Sequence, residues 1–312
     1  MNIKGPIIAS LLIVLGLVSG NAEPVRNRDI GPASPWAAHL DFAKLDDPAL
    51  DGFLLQVAGF DRVLQLQKIL KEELALEWES LEGVTLFGAG DPPGETAILV
   101  RGKLEMVDLT SLPLATGLPT SSGVKLRQGP DWQKSSLILA KPSNQELVAG
   151  TSLQAVKDSL DLLAGRKESR STAVLTEKAS NELKSAAAMF SLDMKKLNQE
   201  LQFEADFTRA IQRAWFLIGS RNDLVEATLM IDSTDAEGLI FLQKQLQLLT
   251  VFLISQADAP AIWLELAGAI KVETQGNWMT LKVAASPERA TLFLKTLGPL
   301  FVQTPDSSRE GN

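Results

Sequence analysis

Two distant stretches of the chain share the pattern Leu-Asp-x-x-Lys-Leu, at residues 40–45 and 192–197. In the residues leading into each copy, every second side chain is apolar, from Trp36 to Phe42 and from Ala188 to Met194. A period of two predicts a half-buried β-strand. A strand that recurs with the same ending indicates that the chain is built from two related units.

A glycine-ended hairpin follows each strand. Residues 84–88 and 97–100 resemble residues 215–219 and 227–230, and the first strand ends at Gly88 in one copy and at Gly219 in the other. An aliphatic residue precedes a tryptophan by eight positions in both copies, at Trp132 and Trp278. These matches occur in the same order, so we expect the two tryptophans to occupy equivalent packing positions.

The last match is a capped helix. Thr151-Ser152 and Ser286-Pro287 precede helical patterns at Leu153–Leu163 and Glu288–Leu300. A serine at a helix start accepts a backbone N–H bond that the helix leaves unpaired, and proline suits the first helical position.

The predicted fold class is therefore α+β, with two pseudo-repeats at residues 36–165 and 187–302. Each is predicted as a mainly antiparallel sheet with helices packed on one face, because strands joined by hairpins pair antiparallel. The predicted order is strand, long helix, hairpin, helix, hairpin, helix. Copy one has its long helix at Pro48–Ser80 and an added strand at Glu146–Ala149, and residues 166–186 form a linker and helix.

The N-terminus predicts export. Lys4 is followed by an apolar run at residues 7–18 and then by Gly20 and Ala22, which is the pattern of a signal peptide over residues 1–22. Cleavage is expected near Gly20 or Ala22, into the periplasm or the medium, with an uncleaved anchor as the alternative. Residues 23–35 hold three prolines and predict a flexible tether, and residues 303–312 predict a disordered tail.

Composition excludes several kinds of chemistry. The 312 residues include no cysteine, no tyrosine and one histidine, so disulfides, thiolate catalysis and multi-histidine metal sites are excluded. The formal net charge of −8 argues against a nucleic-acid partner, which needs a basic surface. No catalytic, cofactor-binding or metal-binding residues are assigned, and no cofactor is expected.

Asp41 and Asp193 are the strongest candidates for a functional role, because duplication would relate them by symmetry. A symmetric carboxylate pair is the arrangement of aspartic proteases, but the glycine-containing tripeptide of those enzymes is missing here. We expect both residues to cap the turns that follow their strands. His39, the lone histidine, is expected to be a surface or hydrogen-bonded core residue.

Residues 36–302 resemble uncharacterised exported bacterial proteins built as two related α+β halves. The resemblance rests on Leu40-Asp41, the glycine hairpins at Gly88 and Gly219, and the helix after Thr151-Ser152. It implies export and duplication, and no activity.

Three functions remain open. The first is a non-enzymatic protein that binds an envelope protein or small ligand in a groove between its halves. The second is a hydrolase that uses carboxylates alone, Asp41 with Asp193 or Glu95. The third is a structural envelope protein that makes peripheral contact with the membrane through the apolar helix Leu239–Ile254. If the leucine stripe of that helix is exposed, this third function is favoured.

Overall fold

The computed structural model describes residues 30, 34–58, 71, 76, 78–89, 95–110, 112–115, 123–132, 135–168, 177–195, 210–255 and 261–301. Residues 1–22 and the tail at 303–312 lie outside this set, as do most of residues 59–77. The strands are β1 (Trp36–Asp41), β2 (Leu81–Ala89), β3 (Glu95–Gly102), β4 (Arg127–Trp132), β5 (Ser135–Ala140), β6 (Glu146–Gly150), β7 (Ala188–Asp193), β8 (Ile211–Arg221), β9 (Leu224–Ser233), β10 (Ile270–Gln275) and β11 (Trp278–Ala285).

The helices are α1 (Phe42–Leu45), α2 (Pro48–Ala58), α3 (Leu153–Leu163), α4 (Glu177–Ser185), α5 (Ala236–Ser255), α6 (Ala261–Ala269) and α7 (Pro287–Phe301). The predicted long helix of copy one begins as expected at Pro48 and is described as α2 up to Ala58, and a 3-10 turn occupies Trp78–Ser80. Most of the predicted span between them lies outside the described residues. The described residues between β3 and β4 contain no helix, although one was predicted there.

All the described strands pair antiparallel in one sheet. Their spatial order is β10-β11-β9-β8-β7-β1-β2-β3-β6-β5-β4. The α+β class and the antiparallel pairing are therefore confirmed. The two predicted units do not form separate sheets, because β1 and β7 pair with each other at the centre.

The helices cover both faces of this sheet, so the prediction of helices on one face is wrong. Face one carries Leu40, which packs with Leu50 of α2, and face two carries Ala37, which packs with Leu162 of α3. The physical reason is in β1, where all six residues are buried rather than every second one. A strand that is apolar or uncharged on both sides needs cover on both sides.

Each half of the sheet has its own cover. On face one, α5 packs through Leu239 on Ile231 and Met279, α6 contacts α5, α7 and β11, and α7 contacts α2. On face two, α4 packs through Leu183 on Met189 and Trp215. The predicted caps at the last helices are confirmed, since Ser152 Oγ accepts from the Ala155 N–H and Ser286 Oγ accepts from the Arg289 N–H.

The predicted equivalence of the two tryptophans is wrong. Trp132 lies on β4, an outermost strand, opposite Ser135. Trp278 lies on β11, one strand in from the other side, opposite Asp232, and its ring stacks on that of Trp215 at 5.3 Å. The eight-residue spacing is shared, but a spacing does not determine which strand of a hairpin is outermost.

Among its described residues, the predicted tether contributes Ile30 to a hydrophobic cluster. Ile30 is 1% exposed and packs on face two with Ala37, Phe87 and Leu162. The N-terminal segment is therefore attached to the sheet at this point.

Candidate functional site

The two aspartates predicted as a symmetric pair lie at opposite ends of the β1–β7 ladder. The Asp41 N–H donates to the Ala187 carbonyl at 2.8 Å, and the Asp193 N–H donates to the Pro35 carbonyl at 2.6 Å. Asp193 is six residues along β7 from Ala187, which corresponds to about 20 Å. Glycosidase carboxyl pairs are about 5–9.5 Å apart, so these aspartates do not form such a pair.

Glu95, the alternative partner, is no closer to Asp41. Asp41 lies opposite Gly83 of β2, whereas Glu95 lies opposite Ala89, six residues further along the same strand. The strand geometry again gives about 20 Å between them. Neither predicted carboxylate pair shares a cleft.

Asp41 is fully buried and forms an ion pair instead of a helix cap. It occupies the N-cap position of α1, but its side chain makes no cap bond. Its Oδ2 lies 2.7 Å from Lys44 Nζ, and the same Nζ donates to the Ala186 carbonyl at 3.2 Å. The cap expected at Asp41 is therefore wrong. The shared Leu-Asp-x-x-Lys-Leu pattern places this carboxylate and this cation one helical turn apart.

His39 is a hydrogen-bonded core residue, one of the two environments expected for it. It is 5% exposed, and its Nδ1 lies 2.9 Å from Thr85 Oγ1 on the neighbouring strand. Desolvation by burial, with smaller contributions from the positive charges of Lys44 and Arg101, lowers the pKa of His39 to about 3. The ring is neutral at ordinary pH and is buried in the sheet, so it is not accessible to a substrate.

One pair of carboxylates that the sequence did not reveal does converge. Glu182 of α4 and Glu226 of β9 both accept from Lys282 Nζ, at 2.6 and 3.2 Å. They line a cavity of about 10 Å³, the space of a single water molecule. Lys282 compensates their charge, so this arrangement attaches α4 to the sheet and has no room for a substrate.

The outward side of α5 is the most unusual surface of the described protein. Three large side chains on the part turned away from β10 are strongly exposed, and we call them the outer apolar face: Phe241 (64%), Leu248 (62%) and Phe252 (58%). Three more, on the side towards β10, we call the edge flank: Ile240 (45%), Val251 (63%) and Ile254 (51%). Together they expose on the order of several hundred Å², about the size of the largest apolar patch on an ordinary monomer.

Two other kinds of site are absent from the described part of the chain. No helix there is both long and apolar enough to cross a bilayer. No cluster of three or more carboxylate or imidazole side chains there could hold a metal ion.

Comparison with known proteins identifies no family. No family model and no curated protein matches the chain. Crystal forms III and IV of TP0453 resemble it with TM-scores of 0.46 and 0.46 and sequence identities of 9% and 11%. The alignments cover 89% and 88% of this chain and 99% and 97% of those chains. Likeness at this level carries no functional argument.

The buried ion pair generates an asymmetric stability prediction. Lys44→Met leaves the Asp41 carboxylate buried without a cation, so we expect the free energy of unfolding to fall by about 3–5 kcal/mol. Asp41→Asn should cost only about 1–2 kcal/mol, because the Lys44 side chain is 23% exposed and reaches water. Urea titrations followed by circular dichroism measure both losses, and the exposed Lys103→Met is the matched control. Equal losses at Lys44 and Asp41 would contradict the assignment.

Burial of His39 predicts a pH dependence. Its pKa of about 3 lies below the unfolded value of 6.5, so the unfolded chain binds the proton first. Stability from this group is complete above pH 6.5 and is lost as the pH falls towards 3, by up to about 1.4 kcal/mol per pH unit. His39→Gln should flatten this part of the curve when unfolding free energies are compared at pH 7, 6 and 5. The same slope in both proteins would refute the prediction.

Proposed function

We propose that this chain is an exported, non-enzymatic protein that binds a partner in the cell envelope through the outer apolar face of α5. The observation that supports this is the exposure of Phe241, Leu248 and Phe252, each more than half accessible on one side of a single helix. Isolated surface apolar residues are common, but a contiguous group marks an interaction surface.

The separation of the candidate carboxylates favours binding over hydrolysis. Asp41 forms a buried ion pair with Lys44, and Lys282 forms ion pairs with both Glu182 and Glu226. The groups that a carboxylate hydrolase would need are thus either too far apart or without substrate space.

A second candidate is contact with the membrane surface itself. It is favoured because α6, which contacts α5, and α7, which contacts α6, also expose apolar side chains: Leu264 (36%), Leu292 (41%) and Leu294 (38%). An amphipathic surface of this kind lies in the headgroup region and gains affinity from its buried apolar area. The chain is acidic, so this contact would favour neutral lipid.

One experiment separates the two occupants. The triple variant Phe241→Ser, Leu248→Ser and Phe252→Ser is compared with Met106→Ser, which alters an 83%-exposed apolar residue away from α5. If the membrane is the partner, flotation with phosphatidylcholine vesicles should recover the native protein and the Met106 variant but lose the triple variant. If a protein is the partner, a photoreactive residue at position 248 should give one defined cross-link in the native host, and position 106 should give none. If the native protein neither binds vesicles nor forms a cross-link at position 248, the proposal is overturned.

Export is proposed on the N-terminal sequence alone. Lys4, the apolar run at residues 7–18 and the small residues Gly20 and Ala22 support a cleaved signal peptide. Edman sequencing of the protein from its native host should begin at Asn21 or Glu23. A cytoplasmic protein that still begins at Met1 would contradict the proposal of export.

We also propose that the two halves are copies of one unit. Outward from the centre, β1-β2-β3-β6-β5 and β7-β8-β9-β11-β10 have the same connections, with β4 added at the end of the first series. Ala38 lies opposite Phe190, the residue that the shared motif makes its counterpart, so a pseudo-twofold axis would pass between them. The copies diverge in their last helices, since α3 covers face two and α7 covers face one. An experimental structure with different connections in the two halves would refute this.

A further inference from the structure

We infer that β10 is a pairing edge for a second copy of this chain, independently of the outer apolar face. β10 is an outermost strand of the sheet, and one of its two sides has no neighbouring strand among those described. An outermost strand presents backbone N–H and C=O groups that can pair with another chain. Proteins usually protect such edges with proline, bulges or short strands.

The two ends of the sheet differ in this protection. At one end, β4 contains Pro130, and its register with β5 shifts between Gln128 and Asp131. At the other end, β10 has six residues without proline and a continuous register with β11. The β4 edge is protected against pairing, and the β10 edge is regular.

The hairpin geometry identifies the backbone groups that face outwards. β10 and β11 are joined by the two-residue turn Gly276-Asn277, so Gln275 and Trp278 form the hydrogen-bonded pair that flanks it. Counting back from that pair, Ile270, Val272 and Thr274 direct their N–H and C=O groups to the open side. The Val272 carbonyl is reached there by Gln243 Nε2 of α5 at 3.1 Å, and a carbonyl has a second lone pair for another donor.

The strand is complementary to itself in charge. When two copies of β10 pair antiparallel about Val272, all three outward residues fall in hydrogen-bonded pairs. Lys271 of each copy then lies opposite Glu273 of the other, in the closer non-hydrogen-bonded positions, where opposite charges stabilise a sheet. Within its own chain, Lys271 lies opposite Lys282, a residue of the same charge. The pairing of β10 with β11 does not itself require a lysine at position 271.

The helix above β10 fits the same symmetry. Gln243, which reaches the Val272 carbonyl, marks the side of α5 that faces the open edge. On that side, at helical spacings of seven, eleven and fourteen from Ile240, lie Gln247, Val251 and Ile254. Because α5 packs on β10 and β11, the twofold axis would place two copies of α5 roughly 10 Å apart, which is a helix-packing distance. The exposed edge flank would then be buried between them.

Charge reversal tests this dimer. The native mature protein should be dimeric in sedimentation velocity at micromolar concentration. Lys271→Glu and Glu273→Lys each place two like pairs across the interface and should weaken the dimer by about tenfold or more. An equimolar mixture of the two variants restores both attractive pairs, so it should form a heterodimer. That recovery shows that both variants are folded.

Two controls keep this result separate from the proposed binding function. Lys103→Glu makes the same charge change on a different part of the surface and should leave the dimer intact. The Phe241, Leu248 and Phe252 triple variant should also stay dimeric, even if it loses vesicle binding or its cross-link. A native protein that is monomeric, single variants that remain fully dimeric, or a mixture that stays monomeric would each overturn the inference.

Discussion

The antiparallel pairing of β1 with β7 is the constraint on which the rest of the sheet depends. It brings together strands about 150 residues apart, and it is the only pairing that joins the two halves among the described strands. The main-chain bonds from Asp41 and Asp193 extend this ladder at its two ends. Because the β1–β7 pairing lies at the middle of the sheet, both faces of the sheet must be covered there, and the side chains of the two strands lose access to water.

Burial of the β1–β7 pairing determines what its polar residues can do. Asp41 is buried there beside Lys44, whose side chain still reaches solvent. Burial, with the cations of Lys44 and Arg101 nearby, lowers the pKa of His39 and holds the ring neutral. Asp41 and His39, which stand out in the sequence, therefore each have a partner in the interior and are not accessible to a substrate.

Sequence reasoning succeeded where the signal was local and failed where it depended on strand order. The positions of β1 and β7, the hairpins that follow them and the caps at Ser152 and Ser286 are local features, and they occur as predicted. Helices on both faces of the sheet could have been predicted if the side of β1 that carries His39 had been recognised as buried. The position of Trp132 could not have been predicted, because β6 lies between β3 and β5 in the sheet and leaves β4 outermost. The exposure of α5 was also beyond prediction, since an apolar helix looks the same whether one side or both are covered.

The distribution of cover along the sheet separates stability from interaction. At the centre, strands lie between α2 on one face and α3 on the other, and even polar side chains are buried. Towards β10 the burial alternates residue by residue, and α5 covers face one while its own outer side remains bare. Burying a large apolar side chain contributes about 1.5–3 kcal/mol. The isolated monomer does not obtain this stabilisation from the six large apolar side chains that α5 leaves exposed. Their presence beside the regular edge strand β10 is explained if this end of the molecule is completed by contact with other molecules.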